Sequence, residues 1–328
     1  MRFGLFIPQG WRLDLAGIEP ADQWAAMRDL AQYADSGDAW ESIWVFDHFH
    51  TVPEPTDEAT HEAWTLMSAF AATTQRVRMG QMCTCVSYRN PAYLAKVAAT
   101  VDIISGGRVE MGIGAGWYEH EWLAYGYGFP RPGVRLGRLD EGVQIMRQMW
   151  TGGVATLDGE HYQVDGAICH PLPLQRPHIP LWIAGGGEKV TLRIVAQHAD
   201  YANVDGTPEV FRHKAEVLRG HCLDVGRDFG QITLSADYNV VIGRDEAEVS
   251  ERKAWLREHY LRYAPRKGER YAKQLAEGPT VGTPEQIVES LQALAKDGLA
   301  YGIFNFADAA YDRSSIELFE REVIPNLR

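Results

Sequence analysis

The protein has 328 residues, of which 45% are hydrophobic and 23% charged, and this composition excludes a disordered chain. Its 32 basic and 44 acidic residues leave a formal charge of −12, so it lacks the basic surface of a nucleic-acid-binding protein and would be repelled by anionic membranes. The opening run 2–8 is typical of a strand rather than of a signal peptide, and four scattered cysteines are too few for a disulfide scaffold. We therefore expect a cytoplasmic protein that binds small molecules and has no nucleic-acid or membrane partner.

Predicted strands and helices alternate from one end of the chain to the other. Residues 42–46 (SIWVF), for example, form a continuous apolar run typical of a buried parallel strand, and Asn90-Pro91 has the residue types of a helix start. The predicted strands are 2–8, 42–46, 77–84, 108–113, 181–184, 200–204, 232–242 and 301–306. The predicted helices are 23–37, 61–75, 92–104, 136–151, 189–198, 208–225, 246–263, 283–297 and 314–325.

This order of elements predicts the fold. Repeated strand-helix units form parallel sheets, and eight of them in one chain favour closure into a (β/α)8 TIM barrel over an open doubly wound sheet. We expect residues 1–328 to form a single α/β domain of this kind, with insertions near 114–135, 152–180 and 264–282. Because the active site of such a barrel lies at the C-terminal ends of its strands, the residues that follow each predicted strand are the candidate site.

The segment Asp47-His48-Phe49-His50 follows the second predicted strand. A histidine there can donate or accept a proton near neutral pH, which makes His48 the candidate catalytic residue, with Asp47 placed to orient it or to cap the following loop. The alternative is a packing role beneath a loop, which is favoured for His50. A His-x-His pair also fits a zinc hydrolase, but the fifth and sixth predicted strands end without a further ligand, so we predict no metal.

Two other strand ends are rich in small residues. Ala184-Gly185-Gly186-Gly187 precedes a predicted helix, so its backbone amides and the helix dipole favour a phosphate, with Lys189 and Arg193 adding charge. Its alternative is a tight turn without a ligand. The loop Gly114-Ala115-Gly116-Trp117-Tyr118 leaves room for a planar ring between aromatic walls, its alternatives being a packing loop or an oligomer interface.

Several long segments of this chain resemble the bacterial luciferase-like flavin and deazaflavin oxidoreductases, especially the branch that uses the deazaflavin coenzyme F420. They extend from the first to the sixth predicted strand, about two thirds of the chain. The segments are RFGLFIPQG, SIWVFDHF, CTCVSYRNPAYLAKVAATVDIISGGRVEMGIGAGWYEHEWLAYGYGFP, RLGRLDEGVQIMRQMW, HYQVDGAICHPLPLQRPHIPLWIAGGGE and ADYANVDG.

The resemblance implies a barrel, often a homodimer, that seats a flavin-like ring at its mouth. His48 would be catalytic or face the ring, and the cofactor phosphate would lie near the glycine triplet. The ring would rest on a bulge at the end of the third strand, with a cis peptide not involving proline near Met82–Thr84. The implied cofactor-binding residues are Asp47, Met82, Cys83, Thr84, Gly114, Ala115, Gly116, Trp117, Ala184, Gly185, Gly186, Gly187 and Asn203.

The same resemblance favours one cofactor and one class of substrate over the others. F420 passes two electrons as a hydride, whereas FMN, the alternative, also supports oxygen activation. The acidic tail of F420 calls for a basic patch, for which Arg131, Arg135 and Arg138 are the candidates. The family's sugar-phosphate dehydrogenases carry an acidic residue at the position of Trp117 and a lysine in the segment Asn203-Val204-Asp205-Gly206. We therefore expect a less polar substrate, with Trp11, Trp44 and Tyr118 in its pocket.

The expected reaction is hydride transfer between F420 and a C=C, C=N or C=O bond of a small organic molecule. The alternatives are an FMN-dependent monooxygenase and a flavin-binding protein without catalysis.

Overall fold

The structure is a computed structural model that describes residues 1–204 and 206–328, so Asp205 lies outside the described residues. The strands are β1 (Arg2–Phe6), β2 (Ser42–Val45), β3 (Arg78–Gln81), β4 (Thr84–Cys85), β5 (Val109–Gly114), β6 (Val154–Asp158), β7 (Gln163–Ile168), β8 (Leu181–Ala184), β9 (Tyr201–Asn203), β10 (Thr233–Asn239), β11 (Val241–Ile242), β12 (Val281–Gly282) and β13 (Tyr301–Asn305).

The α-helices follow the predicted alternation. They are α1 (Pro20–Ser36), α2 (Ala63–Thr73), α3 (Pro91–Ser105), α4 (Glu119–Ala124), α5 (Pro132–Gly152), α6 (Thr191–His198), α7 (Pro208–Asp224), α8 (Glu246–Tyr263), α9 (Gly268–Leu275), α10 (Pro284–Lys296) and α11 (Ser314–Glu322). The predicted helix start at Asn90 is confirmed, because its side chain accepts hydrogen bonds from the amides of Ala92 and Tyr93. Within the described part of the chain, no helix is both long and apolar enough to cross a membrane.

The internal contacts divide the chain into two compact units. Unit 1 comprises Met1–Glu62, Val204–His213 and Leu234–Arg328. Unit 2 comprises Ala63–Asn203 and Lys214–Thr233.

In unit 1, the strands β2, β1, β13 and β10 lie side by side and are all parallel. Their register places Leu5 opposite Ile43 on one side and opposite Phe304 on the other. Aromatic side chains pack against this sheet. Phe6 stacks on Phe46 with ring centroids 4.3 Å apart, which extends the apolar core to the C-terminal ends of β1 and β2.

In unit 2, β3 and β4 both pair with β5, which is followed by β8 and β9, again all parallel. The buried indole of Trp182 on β8 stacks flat on Tyr201 of β9, with ring centroids 3.9 Å apart. Its N–H donates to Glu110 on β5 over 2.6 Å. These contacts hold three neighbouring strands in register, so the loops at their C-terminal ends occupy defined positions.

The three predicted insertions contain structure that the sequence patterns did not reveal. Residues 152–180 hold an antiparallel hairpin of β6 and β7. Residues 114–135 hold α4 and the start of α5, where Pro132 is the first helical residue. Residues 264–282 hold α9 and β12, and β12 pairs with β11. The hairpin was missed because its strands are mostly exposed and have no apolar run.

Candidate functional site

A bulge in unit 2 interrupts the third predicted strand at the expected position. Before it, Gly80 on β3 pairs with Glu110, and after it Thr84 on β4 pairs with Ile113. Three residues, 81–83, therefore face the two residues 111–112, which is the count of a β-bulge. The peptide bond between Met82 and Cys83 inside this bulge is cis, as the family resemblance implied.

The bulge requires glycine on the neighbouring strand. A β-carbon at Gly112 would lie 1.8 Å from the carbonyl oxygen of Gln81, and one at Gly114 would lie 2.6 Å from the sulfur of Cys83. Glycine at these two positions lets the bulged backbone approach β5 closely.

A buried amide nitrogen beside the bulge has no protein partner. The side-chain oxygen of Gln81 accepts a hydrogen bond from Thr84 over 2.7 Å, whereas its Nε2 is buried and has no partner among the described residues. This nitrogen is therefore available to donate a hydrogen bond to a bound polar group. Gln81 was not among the predicted site residues, because a lone glutamine carries no sequence motif.

The glycine triplet follows β8 in unit 2. The amide of Gly185 donates to the backbone carbonyl of Asn203 over 3.0 Å, and the carbonyl of Gly187 accepts from Leu192 in α6. The amides of Gly186 and Gly187 have no partner within the described residues. Two adjacent free amides before a helix N-terminus form an arrangement that binds a phosphate group.

A lysine that the sequence analysis missed lies beside this triplet. Lys214 on α7 forms an ion pair with Glu188, with Nζ 2.6 Å from the carboxylate oxygen. Its Cε lies 3.5 Å from the position that a β-carbon of Gly186 would occupy. A bound anion would therefore find a lysine next to the free amides. The residues are 28 positions apart in the chain, and neither belongs to a motif that links them.

The loop after β5 carries two stacked aromatic rings. Trp117 is 61% exposed and stacks on Tyr118, with ring centroids 5.2 Å apart. Burial, with a smaller contribution from the charge of Glu121, raises the pKa of Tyr118 to about 12. Its hydroxyl therefore stays protonated at neutral pH and can donate a hydrogen bond.

In unit 1, the imidazole of His48 is held by an aromatic ring. His48 is partly buried and stacks on the indole of Trp11, with centroids 4.1 Å apart and an angle of 3° between the planes. Trp11 in turn contacts the ring of Phe46 at 4.3 Å. The sequence patterns placed Trp11 in the substrate pocket, and the structure assigns it contacts with His48 and Phe46.

Trp44, the second predicted wall of the substrate pocket, has no exposed surface. Its indole N–H donates to Ser42 over 2.5 Å, so the side chain belongs to the packed interior of unit 1. The residue types that predicted a pocket also form cores, and the side-chain contacts separate the two roles here.

The remaining predicted residues have the following environments. Asp47 is buried in unit 1, and Met82, Thr84 and Asn203 are buried in unit 2. Of the three arginines expected to bind the acidic tail, Arg135 donates to the carbonyl of Pro130 and lies over the ring of Phe129.

No group of three or more histidine, cysteine, aspartate or glutamate side chains within residues 1–204 and 206–328 could hold a metal ion.

A family model described as luciferase-like monooxygenase matches residues 1–301. The chain belongs to this family. The match confirms the predicted family, and the relatives below agree with the expectation of an oxidoreductase enzyme.

Three relatives show how the similarity is distributed. An F420-dependent glucose-6-phosphate dehydrogenase of Nocardia farcinica is 29% identical over 92% of this chain and 93% of its own. One of Amycolatopsis mediterranei is 34% identical over 53% of this chain, and the pyrimidine monooxygenase RutA of Stutzerimonas stutzeri is 31% identical over 61%. The matches span only about half the length of these last two relatives, 51% and 54%.

Solved structures establish the fold. An F420-dependent secondary alcohol dehydrogenase in complex with an F420-acetone adduct superposes with a TM-score of 0.78 at 21% identity, covering 100% of this chain and 99% of that one. The F420-dependent tetrahydromethanopterin reductase of Methanopyrus kandleri gives 0.75 at 20% identity, with the same two coverages. The chain is thus a closed barrel of eight parallel strands with flanking helices, the predicted (β/α)8 fold.

One buried carboxyl in unit 1 gives a pH-dependent stability. Burial raises the pKa of Asp14 from 3.8 to about 6, against the opposing effects of the Gly10 and Gln9 amides and of Arg12. Between about pH 4 and pH 6 the folded protein keeps a proton that the unfolded chain has released, so the free energy of unfolding falls as the pH rises. The variant Asp14→Asn has no carboxyl group at this position, so its free energy of unfolding does not fall in this way.

We expect the stability difference between Asp14→Asn and the wild type to shift by about 2 kcal/mol in favour of the variant between pH 4 and pH 7. Urea unfolding of both proteins across this range measures it. A difference that stays constant with pH would contradict the assignment of this titration to Asp14.

Proposed function

We propose that the protein is an F420-dependent oxidoreductase that transfers a hydride between the deazaflavin and a small, fairly apolar organic substrate. The observation that carries this proposal is the glycine triplet of unit 2, where two free amides and Lys214 provide the donors and the charge that a phosphate needs. F420 is favoured over FMN by the relative that matches 92% of this chain and is named as F420-dependent.

The residues of unit 2 fit such a cofactor. Gly186 and Gly187 would bind its phosphate, and Gly114–Trp117 would contact its ribityl chain, as the family resemblance implied. The unpartnered Nε2 of Gln81 offers a hydrogen bond to a carbonyl of the ring. When bound, the deazaflavin supplies a hydride-bearing carbon, which a protein side chain cannot provide.

In unit 1, His48 supplies or accepts the proton that accompanies hydride transfer. A positioned imidazole typically contributes about 10²–10⁴-fold to such a step. Its stack on Trp11 restrains the plane of the ring, which leaves the ring nitrogens only two positions related by a flip. A group held in one orientation loses less entropy when it reaches the transition state.

The substrate class follows from the polarity of the implied pocket. The family resemblance implies an acidic residue in sugar-phosphate dehydrogenases where this chain has Trp117, and a lysine where it has the segment Asn203-Val204-Asp205-Gly206. Both differences argue against a sugar phosphate even though relatives carry that name. Tyr118 offers an aromatic face and a neutral hydroxyl. We therefore propose small alcohols, ketones, enones or imines as substrates. The homodimer and the cytoplasmic location stay predictions.

An FMN-dependent monooxygenase is the second candidate. It is favoured by the match to a pyrimidine monooxygenase over 61% of this chain. Both cofactors carry a phosphate and a tricyclic ring, so the glycine triplet fits either one. Their reactivity with oxygen distinguishes them.

Titration of the purified protein with F420 and with FMN, followed by cofactor fluorescence, separates these candidates. We expect F420 to bind at least ten times more tightly than FMN, because the cofactor preference of the nearly full-length relative extends to this chain. Oxygen consumption with reduced cofactor should stay at the uncatalysed rate. Tighter binding of FMN with rapid oxygen uptake would instead support the monooxygenase, and binding of either cofactor without turnover of any substrate class would indicate a flavin-binding protein.

Replacing the proposed proton donor should separate binding from turnover. We expect His48→Ala to lower turnover by about 10²–10⁴-fold in a panel of alcohols, ketones, enones and imines, while F420 affinity changes less than threefold. The matched control is His50→Ala, two residues along the same segment, which should retain turnover. If His48→Ala turns over substrate at the wild-type rate, His48 has no role in the chemistry.

A further inference from the structure

The turn that follows β1 in unit 1 is fixed by its backbone. Gly10 has a φ angle of +96°, and a β-carbon there would lie 1.9 Å from the carbonyl oxygen of Ala59. The carbonyl of Gly10 accepts a hydrogen bond from Leu13 over 2.8 Å, which closes the turn. Only glycine fits this conformation and this contact, so the turn presents the next residue, Trp11, from a defined position.

A buried carboxylate holds this turn from the inside. One oxygen of Asp14 accepts hydrogen bonds from the amide of Gly10 over 2.6 Å and from the amide of Gln9 over 3.3 Å. Asp14 is 3% exposed, and no basic side chain within the described residues forms an ion pair with it. Amides of successive residues that converge on one oxygen bind a negative charge much more strongly than a neutral group.

The side chain of Gln9 connects the turn to the segment that carries His48. Its Nε2 donates to the carbonyl of Phe46 over 2.8 Å, and its Oε1 accepts from the amide of Phe46 over 2.8 Å. Nε2 also donates to the carbonyl of His61 over 2.5 Å. Gln9 is fully buried, and Phe46 lies two residues before His48. The side chain of Gln9 thus joins the ends of β1 and β2, and both of its polar atoms are hydrogen-bonded.

We propose that Asp14 is a positioning residue for His48. Its carboxylate holds the Gly10 turn, the turn places the Trp11 indole, and the indole sets the orientation of the stacked imidazole. The carbonyl of Trp11 also accepts a hydrogen bond from the amide of Val52 over 2.8 Å, which ties the backbone of Trp11 to the segment that follows His48. This inference rests on the proposed role of His48 in proton transfer, although the positioning itself can be measured without cofactor.

A purely structural role does not explain a charged group at this place. A buried carboxylate without an ion-pair partner costs stability, and an amide of the same shape would avoid that cost. The charge lies where the amides of Gln9 and Gly10 converge, directly before Trp11 in the chain. A charged group in this position is more typical of a functional site than of a hydrophobic core.

Other titratable groups around Asp14 must be separated from it in any pH experiment. Arg12 lies in the same loop. Three phenols also face Asp14, those of Tyr260 on α8, Tyr271 on α9 and Tyr311 after β13. Burial raises the pKa of each of them, so they stay neutral. His259 of α8 hydrogen-bonds with the carbonyl of Leu13, and burial lowers its pKa.

The decisive test uses the magnetic shielding of His48 by the Trp11 indole, in protein labelled with ¹³C-histidine and without cofactor. In the wild type, His48 on Trp11 and His259 on Trp255 both stack on an indole and should both shift upfield, and the resonance that is lost in His48→Gln is that of His48. We expect the upfield shift of His48 to fall by at least half in Asp14→Ala. In Asp14→Asn it should fall by less, and only above pH 7, because an amide oxygen accepts from Gly10 and Gln9 more weakly than a carboxylate does.

The matched control is Asp308→Asn, because Asp308 is also a buried carboxyl of unit 1 whose pKa is raised by burial. Its partners are Arg252 and Ser315, which lie outside the Gly10 turn. The His48 resonance should be unchanged in this variant. An unchanged resonance in folded Asp14→Ala would overturn the proposal.

The pH profile of turnover gives a second readout. The ratio of wild-type to Asp14→Asn turnover should be several-fold above pH 7 and should approach one below pH 6, because protonated Asp14 is neutral like the amide. His259→Gln should keep the wild-type profile. A ratio that does not change with pH would overturn the role of the charge. Loss of the stack in Asp14→Ala, together with no F420-linked turnover by the wild type, would refute the proposed function and leave the positioning intact.

Discussion

A backbone loop binds an anion only through amide N–H groups that no other part of the protein uses. In unit 2 the amide of Gly185 is engaged by Asn203, whereas those of Gly186 and Gly187 have no partner within residues 1–204 and 206–328. A short helix begins just after them, and Lys214 lies alongside. The proposed cofactor chemistry depends on this arrangement, because these amides and Lys214 would anchor the phosphate of the cofactor that carries the redox ring.

Unit 1 contributes a constraint of another kind. The buried Asp14 carboxylate costs free energy of unfolding at neutral pH, yet it accepts hydrogen bonds from the two amides that place Trp11 and thereby His48. Stability and site geometry thus oppose each other at one residue. Such opposition is typical of functional sites, where groups are held in environments that a core would avoid.

Continuous apolar runs made much of the fold predictable. Residues 42–46 and 181–184 were predicted as buried strands because a parallel strand covered on both faces shows no alternation, and the structure has strands at both places. The hairpin of β6 and β7 was missed because its side chains are largely exposed. The bulge split a predicted strand into β3 and β4, which no propensity pattern could show.

The site was predictable where glycine or a family motif marks it, and not where distant residues meet. The triplet Gly185–Gly187 was identified from its composition, whereas Lys214 reaches it only through the fold. Trp44 has the residue type of a pocket wall but is completely buried. A sequence pattern gives the chemistry that a residue can perform, and packing decides whether a ligand can reach it.

The affinity for F420, compared with that for the same deazaflavin lacking its phosphate arm, tests the central claim most directly. The account predicts that F420 binds at least ten times more tightly, and that Gly186→Leu removes most of this difference while Gly186→Ala retains it, since a β-carbon there has 3.5 Å of clearance to Lys214. Equal affinities for the two deazaflavins, or a difference that survives Gly186→Leu, would contradict it.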